Sequence, residues 1–215
     1  MIRYLLLLSF VIALSVSGAQ LPTDKINASL QMLESDETLS DSKTLSLLLE
    51  RYSPSVSLLH KRYRATTSEQ KKIEEAFADA GIPPFFALIP YCESKFDPDA
   101  HGYGTAGLWQ FTRQSARNFG LTVKKGNDER LDPERSTAAA IRYVKSLKRQ
   151  FGSWYLADFA YGMGEGKLQQ LIRRNGSKKL SVLLKDPHFP AGTKAHFAKT
   201  LLLQARIAAA KEEKE

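Results

Sequence analysis

From residue 67 to residue 211 apolar residues recur at helical spacing, and almost every run is bracketed by a residue that starts a helix and another that stops one. This punctuation limits the chain to packing helix on helix, because no alternating run of convincing length is present from which a sheet could be built. Thr67-Ser68-Glu69-Gln70 has the pattern of a capping box, and Gly81 is placed to close the helix it opens. Pro83 and Pro84 fit the first turn of the next helix, where a missing N–H costs nothing. Pro90 lies inside that helix and should kink it. Further helices are expected from Gly107 to Phe119, from the N-cap Asp132 with Pro133 to a stop before Gly152, from Ser153 to Tyr161, from Gly166 to Arg174, over Leu180 to Leu184, and from Thr193 to Lys211. Only residues 121–131 leave room for a small hairpin or extended loop. Residues 20–40 are polar and lack a clear period, so they read as a mobile arm, followed by two short helices over Leu45 to Tyr52 and Ser55 to Tyr63. The expected fold class is all-α.

The first nineteen residues read as a secretory signal peptide: Arg3, an apolar run from Tyr4 to Val16, then Ser17-Gly18-Ala19 before Gln20. The run is too short to span a bilayer, and no later segment has about eighteen uninterrupted apolar residues. Export to the periplasm as a soluble monomer, with no stable membrane insertion after cleavage, is therefore expected. A lipid anchor would need a cysteine directly after the run, and the single cysteine is Cys92. Removing residues 1–19 takes away one of 31 basic residues and none of the 23 acidic ones, which leaves a charge near +7. On an exported protein such a surface suits a polyanionic wall polymer or lipid headgroups. Nucleic acid fits poorly, because the basic residues are scattered over amphipathic segments such as Lys145-Ser146-Leu147-Lys148-Arg149. No zinc spacing, phosphate-cradling glycine loop or nucleophile elbow is present, so neither a metal nor another cofactor is expected.

Chemistry enters at Ile89-Pro90-Tyr91-Cys92-Glu93-Ser94-Lys95-Phe96. Helical spacing puts Glu93 on the same face as Phe86, Ile89 and Phe96. Burial among apolar groups raises a carboxyl pKa and equips a Glu to give up a proton near neutral pH, which makes Glu93 a candidate general acid. Asp97 and Asp99, beside Pro98, have the character of loop residues. Glu165 follows Gly164 and reads as the start of the next helix. Cys92 should face the core as a small buried apolar group, and Trp154 and Tyr155 read as structural.

The Glu93-Ser94 pair is followed by Gly104-Thr105-Ala106-Gly107-Leu108-Trp109-Gln110-Phe111 and, some fifty residues later, by Phe159-Ala160-Tyr161-Gly162-Met163-Gly164-Glu165-Gly166. In this order, and joined by Asp128-Glu129-Arg130-Leu131-Asp132-Pro133-Glu134-Arg135-Ser136-Thr137, the set resembles the SLT-type lytic transglycosylases, glycoside hydrolase family 23, and in the last run their membrane-bound D-type subfamily. The similarity covers roughly residues 78–205. It implies a lysozyme-like (goose-type/SLT) helical domain over 67–211, preceded by the signal peptide (1–19) and an N-terminal arm with short helices (20–66). It also implies a cell-wall lyase that cleaves the MurNAc-β-1,4-GlcNAc bond of peptidoglycan. Ordinary glycosidases use two acids about 5 to 10 Å apart, but one is enough if the substrate brings its own nucleophile. Glu93 would protonate the leaving glycosidic oxygen, then take the proton of the muramic acid C6 hydroxyl as it closes onto C1 to leave a 1,6-anhydro end.

By motif position, Tyr161 matches the family tyrosine whose hydroxyl reaches the catalytic Glu. Ser94, Gly107, Gln110 and Phe111 match residues associated with the glycan-binding cleft, and Trp109 is either a sugar-stacking platform or a core residue. Gly162 stands at a cleft-lining turn where the family has Asn, and Gly162-Met163 replaces the family's Asn-Ala, which should remove a polar contact to the glycan. Cell-envelope machinery is a further partner that the resemblance allows. Two alternatives remain open: a muramidase or chitinase-like hydrolase on the same fold, and a catalytically impaired peptidoglycan-binding protein.

Overall fold

A computed structural model describes residues 21–63 and 68–212, so the expected leader and Thr67 of the capping-box pattern lie outside the described residues. The helices are α1 Thr23–Met32, α2 Lys43–Tyr63, α3 Ser68–Asp79, α4 Pro84–Ala87, α5 Ile89–Ser94, α6 Arg113–Asn118, α7 Pro133–Phe151, α8 Trp154–Met163, α9 Glu165–Asn175, α10 Leu180–Lys185 and α11 Ala191–Glu212. Strand β1 (Thr105–Ala106) pairs antiparallel with β2 (Phe111–Thr112), and β3 (Val123–Lys124) with β4 (Asn127–Asp128). The fold class is the all-α, lysozyme-like one, and the β3–β4 hairpin falls where residues 121–131 left room for it. Among the described residues no helix is long and apolar enough to cross a membrane.

Helix α11 is the axis of the packing, with α2, α1 and α8 laid against it. Its Phe197, Ala198, Leu201, Leu202, Leu203 and Ala205 are all fully buried. A helix covered on several sides needs no narrow apolar stripe. Residues 20–40, expected as a mobile arm, instead carry α1, whose Ile26, Leu30 and the following Leu33 are wholly buried. Three apolar residues at spacings of four and three were enough for a core face, although the polar surroundings hid the period. The two short helices expected next are one helix, α2, with Pro54 inside it. Leu45, Leu49 and Val56 share one buried face across the proline, and this packing outweighs the lost backbone bond.

Helix endings follow the punctuation closely. After α3, Gly81 takes φ +68°, its N–H reaches the Ala78 carbonyl, and the Ile82 N–H reaches that of Phe77. This is the double closure of a Schellman end. Asp132 caps α7 by accepting the Arg135 N–H at 2.9 Å, and Gly152 closes it in the left-handed region. The expected helix over Gly107–Phe119 starts only at Arg113, where Thr112 Oγ1 accepts the Ser115 N–H. Its first residues form a tight loop between β1 and β2. There Gly107 has φ +80°, and a Cβ on it would lie 1.8 Å from the Arg130 carbonyl oxygen, so only glycine fits.

Candidate functional site

Pro90 cannot donate a backbone hydrogen bond, and the expected single helix is divided at Leu88 into α4 and α5. The division resets the helical phase. Phe86 and Ile89 turn fully into the core, while the Glu93 side chain keeps 35% of its surface open to solvent. The apolar face expected around Glu93 is therefore corrected: its neighbours are polar. Helix α5 ends with Lys95 and Phe96 both left-handed, φ 61° and 60°, and the Lys95 ammonium donates to the exposed carbonyls of Tyr91 and Cys92. Two consecutive non-glycine residues in this region store strain of order 1–3 kcal/mol each. The end of α5 is also pinned by Ser94, whose hydroxyl faces the Pro90 carbonyl at 2.9 Å and the Leu108 carbonyl at 3.0 Å.

Glu93 heads a chain of three titratable groups. Glu93 Oε1 is 2.9 Å from His196 Nδ1, and His196 Nε2 is 3.2 Å from Asp158 Oδ1. His196, on α11, is nearly buried, and Asp158, on α8, is wholly so, with its Oδ2 lacking a hydrogen-bond partner among the described residues. The imidazole hydrogen bond pulls the Glu93 carboxyl below its usual pKa, and the opposing effect of burial is smaller. The upward shift anticipated for a buried acid does not occur. For His196 burial acts to lower the pKa, but Asp158 and Glu93 together outweigh it and hold the imidazole well above its ordinary value. Among the described residues the Glu93 carboxylate has no other hydrogen-bond partner, which leaves an oxygen for a ligand.

The other expected site residues divide differently. Tyr161 is close enough for Glu93 to raise its pKa in addition to burial, but its one proton goes to the Trp109 carbonyl at 2.6 Å, not to Glu93. Gln110 spends both amide protons on the Ala100 and Gly107 carbonyls, while its oxygen accepts from Thr105. It staples the loop instead of offering an amide to a glycan. Trp109 is buried, stacks on Phe77 at 5.1 Å and donates to Thr137; it is a core residue and no sugar platform. Phe111 is buried beside Tyr143, and Gly107 is tied up against Arg130. Gly162 faces Thr193: a Cβ would meet its Cγ2 at 3.0 Å. A side chain at 162 would therefore press on the Thr193 methyl of α11. Cys92 is half-buried and its sulfur accepts from Thr200. Glu165 opens α9 as expected.

Sequence reasoning missed His196, Asp158 and Arg130. One signal was available: Asp158 is a lone acid inside Tyr155-Leu156-Ala157-Asp158-Phe159-Ala160, and an acid there needs a partner. Arg130 grips Asp128 through two nitrogens and donates to the Phe111 carbonyl, so the Asp128–Thr137 run holds the site loop from outside. Two surface cavities, of about 780 and 460 Å³, lie along α3 and are lined by none of Glu93, His196 and Asp158. The Glu93 carboxylate reaches solvent outside both of them.

The Transglycosylase SLT domain family matches residues 71–183, more than half of the chain. The chain belongs to this SLT family. It is 36% identical over 124 residues, 57% of its length, to membrane-bound lytic murein transglycosylase D of Escherichia coli K12. It is 39% identical over 83 residues, 37% of its length, to peptidoglycan transglycosylase gp16 of phage T7. It is also 29% identical over 119 residues, half of its length, to membrane-bound lytic murein transglycosylase F 2 of Alkalilimnicola ehrlichii. The similar part spans 27%, 6% and 25% of those relatives, so the chain matches only a minor part of each.

Proposed function

We propose that the protein is a peptidoglycan lytic transglycosylase with Glu93 as its acid, working on the cell wall after export. The observation that carries this reading is the accessible carboxylate of Glu93, the one acid of the Glu93–His196–Asp158 cluster that reaches solvent. Glu93 presents an unpartnered oxygen to solvent, while the other acid of the cluster, Asp158, is sealed behind His196. Within this cluster, among the described residues, no second acid reaches solvent to act as nucleophile or to activate water, as in two-carboxylate glycosidases. The C6 hydroxyl of the muramic acid then serves as the nucleophile. Glu93 protonates the leaving oxygen as the C1–O bond breaks, and the proton of the C6 hydroxyl returns to Glu93 as the C6–O–C1 bond forms. No water is consumed. The names of the relatives, which act on murein or peptidoglycan, support the substrate class.

The test is solubilisation of purified sacculi. Wild type should release soluble fragments. Glu93→Gln, which keeps the shape and loses the proton, should lower the rate at least about 100-fold, the usual worth of a general acid, while still sedimenting with sacculi. Clearance by the variant at a tenth of the wild-type rate would remove Glu93 from the role.

A further inference from the structure

We propose that Glu93, His196 and Asp158 work as one proton-holding chain, in which Asp158 keeps His196 charged and His196 keeps the proton that Glu93 delivers. This rests on the transglycosylase reading for the reaction, but the arrangement itself can be read without substrate. Both imidazole nitrogens face carboxylate oxygens, at 2.9 Å and 3.2 Å. Two ionised carboxylates on opposite sides of the ring, which can only accept, are both satisfied only if both nitrogens carry hydrogen. Among the described residues Asp158 has no other hydrogen-bond partner, and its side chain has no exposed surface, so a cationic imidazole is what would make a charge there tolerable in the interior.

The remaining groups around His196 do not compete for the proton. Thr200 donates back to the His196 carbonyl and faces Cys92 Sγ, and burial pushes the Cys92 thiol up. Tyr161 is held neutral well above its ordinary value and donates to Trp109. Lys95 is turned to backbone carbonyls. The upward shift of His196 and the downward shift of Glu93 describe the same proton from its two sides. At rest it sits on Nδ1. On cleavage it passes to the Glu93 carboxylate, whose rotation about its last bond carries it to the leaving oxygen, and the C6 hydroxyl returns one proton to the pair. No proton is gained or lost over the cycle. His196 and Asp158 are thus positioning residues that act through Glu93. They extend its working range to pH values at which a lone Glu would already be ionised.

Two measurements decide this. In the pH profile of kcat on sacculi, the alkaline limb of wild type should follow loss of the proton from the pair. His196→Gln and Asp158→Asn should each move that limb to lower pH by at least about one unit while retaining much of the activity near pH 5. A purely structural role would scale the rate equally at every pH, and an unmoved limb overturns the proposal. Independently, nitrogen-15 NMR of wild type, assigned by replacing the other three histidines one at a time, reads the ring directly. Both His196 nitrogens should be protonated at pH 7.5. A bare ring nitrogen at that pH overturns the proposal even if neither variant folds, and an inert wild type sinks the transglycosylase reading while leaving the NMR result to stand.

Discussion

At residue 162 a side chain would press closely on a neighbour from α11. A Cβ at 162 would lie 3.0 Å from Thr193 Cγ2, so an Asn there must push that methyl back by a small shift on α11. Gly162→Asn is predicted to cost no more than about 1 kcal/mol, because the position is exposed and only the movable end of Thr193 must give, and Thr193→Ser, which deletes the methyl, should recover most of it. Thermal melts of the two single variants and the pair check this; an Asn variant as stable as wild type would mean that Thr193 yields freely. Trp109 makes a complementary case. Stacked on Phe77 and buried, it should cost about 3–5 kcal/mol when replaced by alanine, and a Trp109→Ala protein that melts like wild type but binds sacculi poorly would return it to a sugar platform. The identity of Glu93 was legible because the motif carried it, whereas its environment was not, since His196 and Asp158 approach from helices 65 or more residues away in the chain.

Among the elements, those bounded by local chemistry were the readable ones. Asp132 with Pro133 and Gly152 mark α7, and Gly81 marks the end of α3, because caps and left-handed stops act within a few residues. The failures lie where distant packing decides. Helix α1 is held by Ile26 and Leu30 against α11, and a polar sequence gives no notice of a face supplied from 170 residues away. Leu30→Ala is therefore predicted to cost about 2–5 kcal/mol in a single cooperative unfolding transition; an effect near zero, or a separate early transition, would restore the mobile arm. The segment 107–112 misled in another way. Its apolar content resembles a helix start, but Gly107 against the Arg130 carbonyl and the left-handed Gln110 force a hairpin.

Across the whole molecule the buried charge chain makes stability depend on pH. Glu93 has a lowered pKa, so its contribution is present above its ordinary value of 4.5 and is lost as pH falls through the folded value. His196 has a raised pKa, so its contribution is whole below its ordinary value of 6.5 and is lost as pH rises through the folded value. The difference in Tm between wild type and Glu93→Gln should therefore be greatest between pH 4.5 and 6.5 and shrink on both sides. A difference that is flat with pH would show that the pair is not charged in the folded state. The central claim is a chemical one: Glu93 as the one acid of its cluster that reaches solvent, with the substrate closing on itself. Mass spectrometry of the fragments released from purified sacculi tests it most directly. The account predicts disaccharide-peptides lighter by one water than hydrolysis products and unchanged by borohydride, and reducible muramic ends as the main product would contradict it.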